Sequence, residues 1–154
     1  MTDRRAANIA LAESYYEALA NGDFEALAAL HADDVAFNLV GETPVSGRWE
    51  GKAECFGPLV ADMVVGKLDP ETVQFSRKWK IMCADENRVV GMMTGGGMGK
   101  NGHEYLQTYC QIMTITDGLI TELHEFFDTA LVELALNDNP TAKGPSTPAR
   151  PFAF

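Results

Sequence analysis

A chain of 154 residues with 46% apolar and 22% charged side chains suits a single globular domain that can bury its own core. Twelve Lys and Arg against twenty-two Asp and Glu leave a formal charge of −10, a field that repels phosphate backbones and anionic membranes, so no nucleic acid and no membrane is expected as a partner. No apolar run reaches the ~20 residues of a spanning helix, the first residues carry no signal-peptide-like segment, and Cys55, Cys83 and Cys110 are spaced for neither disulfides nor zinc, so a cytoplasmic setting is expected.

Residues 6–20 place Ile9, Ala12, Tyr16 and Leu19 at helical spacing, with Leu11, Tyr15 and Ala18 on the adjoining stripe, and Asn21-Gly22 supplies a left-handed stop. Asp23 caps a second, short helix with the stripe Phe24, Leu27, Ala28 and His31; His31 stands at its end, where the dipole favours an imidazolium. Val35, Phe37 and Leu39 alternate as in a strand, and residues 40–50 read as a loop. A third helix over 51–65 turns Phe56, Leu59, Val60 and Met63 to one side, with Pro58 imposing a kink or a late start.

From residue 72 the period is two. Val73, Phe75, Trp79, Ile81 and Cys83 share a face interrupted by Arg77, and a turn at Asp85-Glu86-Asn87 leads to a strand over Val89–Met98 loosened by glycines. Asn101-Gly102 predicts a two-residue type I′ hairpin, followed by a long strand from His103 to Thr116, a second hairpin at Asp117-Gly118 and a last strand from Leu119 to Phe127. Asp128 caps a helix through Leu136. Residues 137–154 hold four of the seven prolines and form a tail expected to dock, through Phe152 and Phe154, on the domain (residues 1–136) or on a second subunit.

The stretch Tyr15-Tyr16-Glu17-Ala18-Leu19-Ala20-Asn21-Gly22-Asp23-Phe24 with His31-Ala32-Asp33-Asp34-Val35 resembles the opening of NTF2-like proteins, among them ketosteroid isomerases and SnoaL-type polyketide cyclases. Pro44-Val45-Ser46-Gly47-Arg48-Trp49-Glu50-Gly51-Lys52, Asp117-Gly118-Leu119-Ile120 and Glu125-Phe126-Phe127-Asp128 extend the likeness over residues 6–136. The resemblance implies an α+β, cystatin-like cone: N-terminal helices on a strongly curved antiparallel sheet, an apolar cavity at the open end, and a homodimer through the outer sheet face. One such fold hosts many activities, so the chemistry rests on the residues in the cavity.

By that resemblance Tyr15 stands where steroid isomerases place their enolate-stabilising tyrosine, while Leu39 occupies the position of their catalytic carboxylate. Leucine takes no proton, so steroid isomerisation by these groups is not expected. The second donor of that family falls near Cys110 or Ile112. The remaining carboxylate is Glu125, which the resemblance turns into the cavity with Leu123 and Phe127; a glutamate among apolar walls holds its proton more tightly, as an acid/base catalyst requires. His124 inherits the role if the register is one residue off, and Asp128 competes as a carboxylate although it also reads as a helix cap. Trp49, Phe56, Met63 and Trp79 are expected as walls around a small apolar ligand, without metal or other cofactor. Gly95-Gly96-Gly97-Met98-Gly99-Lys100 lacks the Ser or Thr and the following helix of a phosphate loop. Two functions follow: acid/base isomerisation, cyclisation or dehydration of a small carbonyl compound such as a polyketide or terpenoid, or non-catalytic binding of a small molecule.

Overall fold

The computed structural model describes residues 3–140 and Phe154. Helix α1 (Arg4–Asn21) is capped by Asp3, whose carboxylate accepts from the backbone of Arg5 and Ala6, and stops at Gly22 with φ 66°. Asp23 accepts from Ala26 N at 2.9 Å and opens α2 (Phe24–Ala29). Short side-chain oxygens satisfying orphan N–H groups, then a glycine in the left-handed region, set this helical hairpin as its sequence predicts.

Six strands form one curved sheet in the order β2-β1-β6-β5-β4-β3. They are β1 (His31–Leu39), β2 (Gly47–Glu50), β3 (Gln74–Ala84), β4 (Arg88–Met98), β5 (Glu104–Thr116) and β6 (Leu119–Phe126). All neighbours are antiparallel except β1 and β6, which run parallel. The segment expected as a loop over 40–50 therefore contains a strand: Gly47–Glu50 pairs with the buried end of β1 and becomes the sheet edge. Its brevity suits an edge strand. His31 begins β1 instead of ending α2, a correction that decides its charge below.

The inner face of β5 shows a strict alternation: Tyr105, Gln107, Tyr109, Gln111, Met113 and Ile115 are buried. Helix α1 packs over β3 and β4 on that face. Trp79 lies under it, stacked on Tyr16 at 6.1 Å and donating its indole N–H to Glu13 Oε2 at 2.7 Å. Gly91 is where helix and sheet come closest, since a Cβ there would overlap the Tyr16 hydroxyl. Arg77 does not interrupt the apolar face of β3. Phe75, Ser76 and Arg77 together face the single residue Gly95, and this bulge, with Ser76 at φ 48°, buries Phe75 and Ser76 while turning Arg77 outward. Beyond a second irregularity Cys83 is exposed and leaves the face expected for it.

The two hairpins divide differently from expectation. Asp117 and Gly118 both have positive φ, 51° and 77°, as a type I′ turn requires. At Asn101-Gly102 only Gly102 does, and the loop is wider: Gly102 N donates to Gly99 O at 2.8 Å across a four-residue turn.

Between β2 and β3 the helix begins as α3 (Lys52–Glu54) and continues as a π-helical stretch, Cys55–Val64, and a 3₁₀ turn, Val65–Lys67. Pro58 lies inside the π stretch; a residue without an N–H cannot complete the α ladder, so the expected kink takes the form of a wider helix. Helix α4 (Thr129–Asn137) closes the described domain against β5. No helix among the described residues is long and apolar enough to cross a membrane.

The docking expected of the tail falls on residues that lie, apart from 137–140 and Phe154, outside the described residues. The Phe154 carbonyl accepts from Lys78 Nζ at 2.9 Å, and that ammonium stands 4.6 Å from the centre of the Phe154 ring. The outer sheet face presents Leu106 and Phe126 to solvent.

Candidate active site

The inner face of the sheet, α1, α2 and the π-helical segment enclose an apolar cavity of about 80 Å³. Phe37 and Leu39 of β1, Leu59 of the π stretch, Met93 of β4 and Leu123 of β6 form buried parts of its wall. Phe24, Phe56, Val60 and Val64 are only half-buried and mark its rim. Lys, Arg and His are missing from the lining among the described residues; the polar groups are Glu125 and three phenols, Tyr15, Tyr105 and Tyr109.

These groups are wired together. Gln111 Nε2 donates to Glu125 Oε2 at 2.6 Å and to the Tyr15 oxygen at 3.0 Å. Gln111 and Glu125 can meet because they are cross-strand partners on the inner face of β5 and β6. Tyr15 reaches them from the buried face of α1. With its oxygen occupied by the Gln111 amide, the Tyr15 proton remains free to donate to a ligand. The Tyr105 and Tyr109 hydroxyls bond to each other at 3.1 Å.

Burial governs the charges. Desolvation pushes the Glu125 carboxyl up to about 7, and the Gln111 hydrogen bond opposes it only in part. Glu125 is half-buried, facing the cavity while protein surrounds it. Burial also raises Tyr15, Tyr105 and Tyr109, with the Glu125 charge adding to each. The phenols therefore stay protonated donors while the carboxyl titrates near neutrality.

Leu39 and Glu125 are partners in the parallel β1–β6 register. The position that the resemblance assigns to a base is thus apolar, and a carboxylate stands beside it on the adjacent strand, roughly 4.8 Å away in the sheet. Both line the cavity, as do Tyr15, Phe56 and Phe127.

The other candidates lie elsewhere. His124 is on the opposite sheet face, paired in register with Ile112 and Asn38. Asp128 accepts from Ala130 N and Leu131 N and caps α4. Asp128→Ala is expected to cost about 1 kcal/mol of stability in chemical denaturation and to leave ligand affinity unchanged. Three expected wall residues, and Cys110 at the expected second-donor position, do not line the cavity. Trp49 donates to Val45 O at 2.9 Å by the sheet edge, Met63 belongs to the π stretch and packs half-buried against the core, Trp79 is held under α1, and Cys110 points to the outer face. The ion-paired carboxylate of β6 is Glu122, bonded to Arg48 at 2.8 Å. No cluster of His, Cys, Asp and Glu suited to a metal occurs among the described residues.

Gln111, Tyr105 and Tyr109 are additions that the sequence reading missed. Their signal is the odd-numbered run Tyr-Gln-Tyr-Gln-Met along β5. It was masked because the even-numbered run Leu106, Cys110 and Ile112 is as apolar, so a period of two left the parity open.

A family model of the SnoaL-like domain matches residues 12–123. The chain belongs to the SnoaL-like family. Solved structures agree with this SnoaL-like protein in fold. An NTF2-like protein from Burkholderia xenovorans is 23% identical, with 86% of this chain and 98% of that one covered and a TM-score of 0.64. A candidate polyketide cyclase from Xanthomonas campestris is 23% identical over 88% and 100% of the two chains, TM-score 0.66. An epoxide hydrolase of the LEH-like kind from M. tuberculosis is 23% identical over 88% and 92%, TM-score 0.61. At these identities the likeness is one of fold, an α+β NTF2-like sheet that stays open. No curated protein matches the sequence.

Proposed function

We propose that this SnoaL-like protein is an acid/base enzyme that moves a proton on a small, neutral, carbonyl-bearing compound, in an isomerisation, cyclisation or dehydration. Glu125 takes the proton and Tyr15 donates to the oxygen on which negative charge develops. The observation that carries this reading is the Glu125–Gln111–Tyr15 linkage inside an apolar cavity. A carboxyl that titrates near neutrality is well matched to general acid/base work, and a phenol pre-placed in a water-poor site stabilises an enolate without reorganisation. Gln111 holds one carboxylate oxygen and leaves the other to face a ligand. Fold neighbours named as a candidate polyketide cyclase and an LEH-like epoxide hydrolase support this reading.

Leu39 favours the second reading, a binding module without turnover. The two are separated by proton exchange. In deuterated water the chain is expected to speed uptake of deuterium beside the carbonyl of small ketones, with a rate that rises through pH about 7 as Glu125 ionises. Ketone binding without any accelerated exchange would assign the cavity to binding alone.

A further inference from the structure

We infer that the outer face of the sheet is a docking surface for this chain's own residues 141–154, which cross it as a polyproline II ribbon of the same molecule, where the resemblance would seat a second copy. The surface is an apolar groove of about 430 Å³. Met92 of β4, Leu106, Thr108 and Cys110 of β5 and Phe126 of β6 line its floor, and Leu131 of α4 stands at one end. Leu106 is 43% exposed and Phe126 46%, so large apolar side chains stand open on the face opposite the cavity.

The structure fixes both ends of the path. Asn139 N donates to Glu133 O and turns the chain back along α4, which sets Pro140 beside Thr129 and Ala130, close to Leu131. At the far end Lys78 Nζ donates to the Phe154 carbonyl and lies 4.6 Å from the centre of a Phe154 ring that is half-buried. Lys78 shares the face of the groove. It pairs with Thr94, and Thr94 with Thr108, whereas the next rung, Trp79, Met93 and Tyr109, points inward. From Pro140 to Phe154 an extended chain spans roughly 45 Å, against roughly 10 Å between β5 and β3.

The residues of the segment suit that path. Pro145, Pro148, Pro151 and Phe154 recur every third residue. Polyproline II has three residues per turn and rises about 3.1 Å per residue, so these side chains form one apolar stripe roughly 28 Å long. Proline holds its φ before docking, and an aromatic-lined groove takes such a ribbon with little loss of conformational entropy. Lys143 and Arg150 are the only charged side chains of the segment, and all twenty-two Asp and Glu lie in the domain that it crosses. Tethering keeps the ribbon at high effective concentration beside the groove, an advantage that a second copy lacks.

Thiol labelling of the full chain tests this. Cys110 lies half-buried in the groove and reports its cover, and Cys83, exposed on β3, is the reference. Iodoacetamide labelling of both is followed by peptide mass spectrometry, with sedimentation giving the mass and circular dichroism the fold. The wild-type chain is expected to sediment as a monomer. Pro151→Ser with Phe154→Ser, which leaves residues 1–140 unchanged, is expected to speed labelling of Cys110 about tenfold and of Cys83 less than about twofold. Lys78→Ala is expected to move Cys110 the same way by about threefold. A Cys110 rate unchanged in the Pro151 and Phe154 variant would overturn the inference. So would a wild-type chain whose Cys110 protection grows with protein concentration as a dimer mass appears, because the occupant is then a second copy.

Discussion

Glu125→Gln is expected to lower the proton-exchange rate by about 10²–10⁴-fold, the usual worth of a positioned general base, with ligand affinity changed by less than about threefold. The substitution is close to isosteric. The new amide carbonyl can still accept from Gln111 Nε2, so the link to Tyr15 survives and the loss reports proton transfer alone. In the wild-type chain the base form dominates above pH about 7 and the rate levels off there. Below that pH each unit costs about a factor of ten, because the buried carboxyl stays protonated. The phenols contribute no second inflection near neutrality, since burial drives all three upward. Measuring exchange of a small ketone by NMR from pH 5 to 9 in both chains tests this, and an equal rate in the two would remove Glu125 as the base.

How much of this site the sequence carried follows from where local signals reach. Asp23, Asp128 and Gly22 announce the helix ends because capping depends only on neighbouring backbone. Resemblance turns Glu125 inward, but its place beside Leu39, eighty-six residues away in the chain, depends on a β1–β6 pairing that no local pattern states. The face of β5 could not be read, because apolar residues occupy both parities, and so the Tyr105–Tyr109 pair and Gln111 went unseen. The aromatic residues assigned as walls illustrate the same limit. Trp79 is apolar and inward, as its strand pattern predicts, but α1 already covers that part of the sheet and leaves it no share of the cavity. Position along an alternating strand gives the face; only the packing of another element decides whether that face is core or cavity.

His31 shows how packing also resets charge, and it leads to the second large effect. The helix-end reading favours an imidazolium, but the ring is 1% exposed and lies against Tyr15, Phe37 and Phe56, with centroids 5.1–5.8 Å away. Nδ1 stands 2.8 Å from Leu27 O, to which it donates as the neutral tautomer, and burial lowers the ring from 6.5 to about 4 despite that bond. Unfolded, His31 takes a proton as pH falls past 6.5, whereas folded it resists until about 4. Its contribution to stability is therefore complete above 6.5 and is lost on acidification, by about 3 kcal/mol in all. Glu125 has the opposite sign. Its carboxyl is raised from 4.5 to about 7, so its contribution is complete below 4.5 and is lost, again by about 3 kcal/mol, as pH rises to 7. Between pH 4.5 and 6.5 the two slopes nearly cancel. His31→Phe, which keeps the ring packing, is expected to gain stability relative to wild type as pH falls through that window. Glu125→Gln is expected to lose it relative to wild type over the same range, and the double variant to run parallel to the wild-type curve. Urea denaturation at half-unit pH steps measures all four chains, and single-variant curves parallel to wild type would show that neither group is buried in its unionised form.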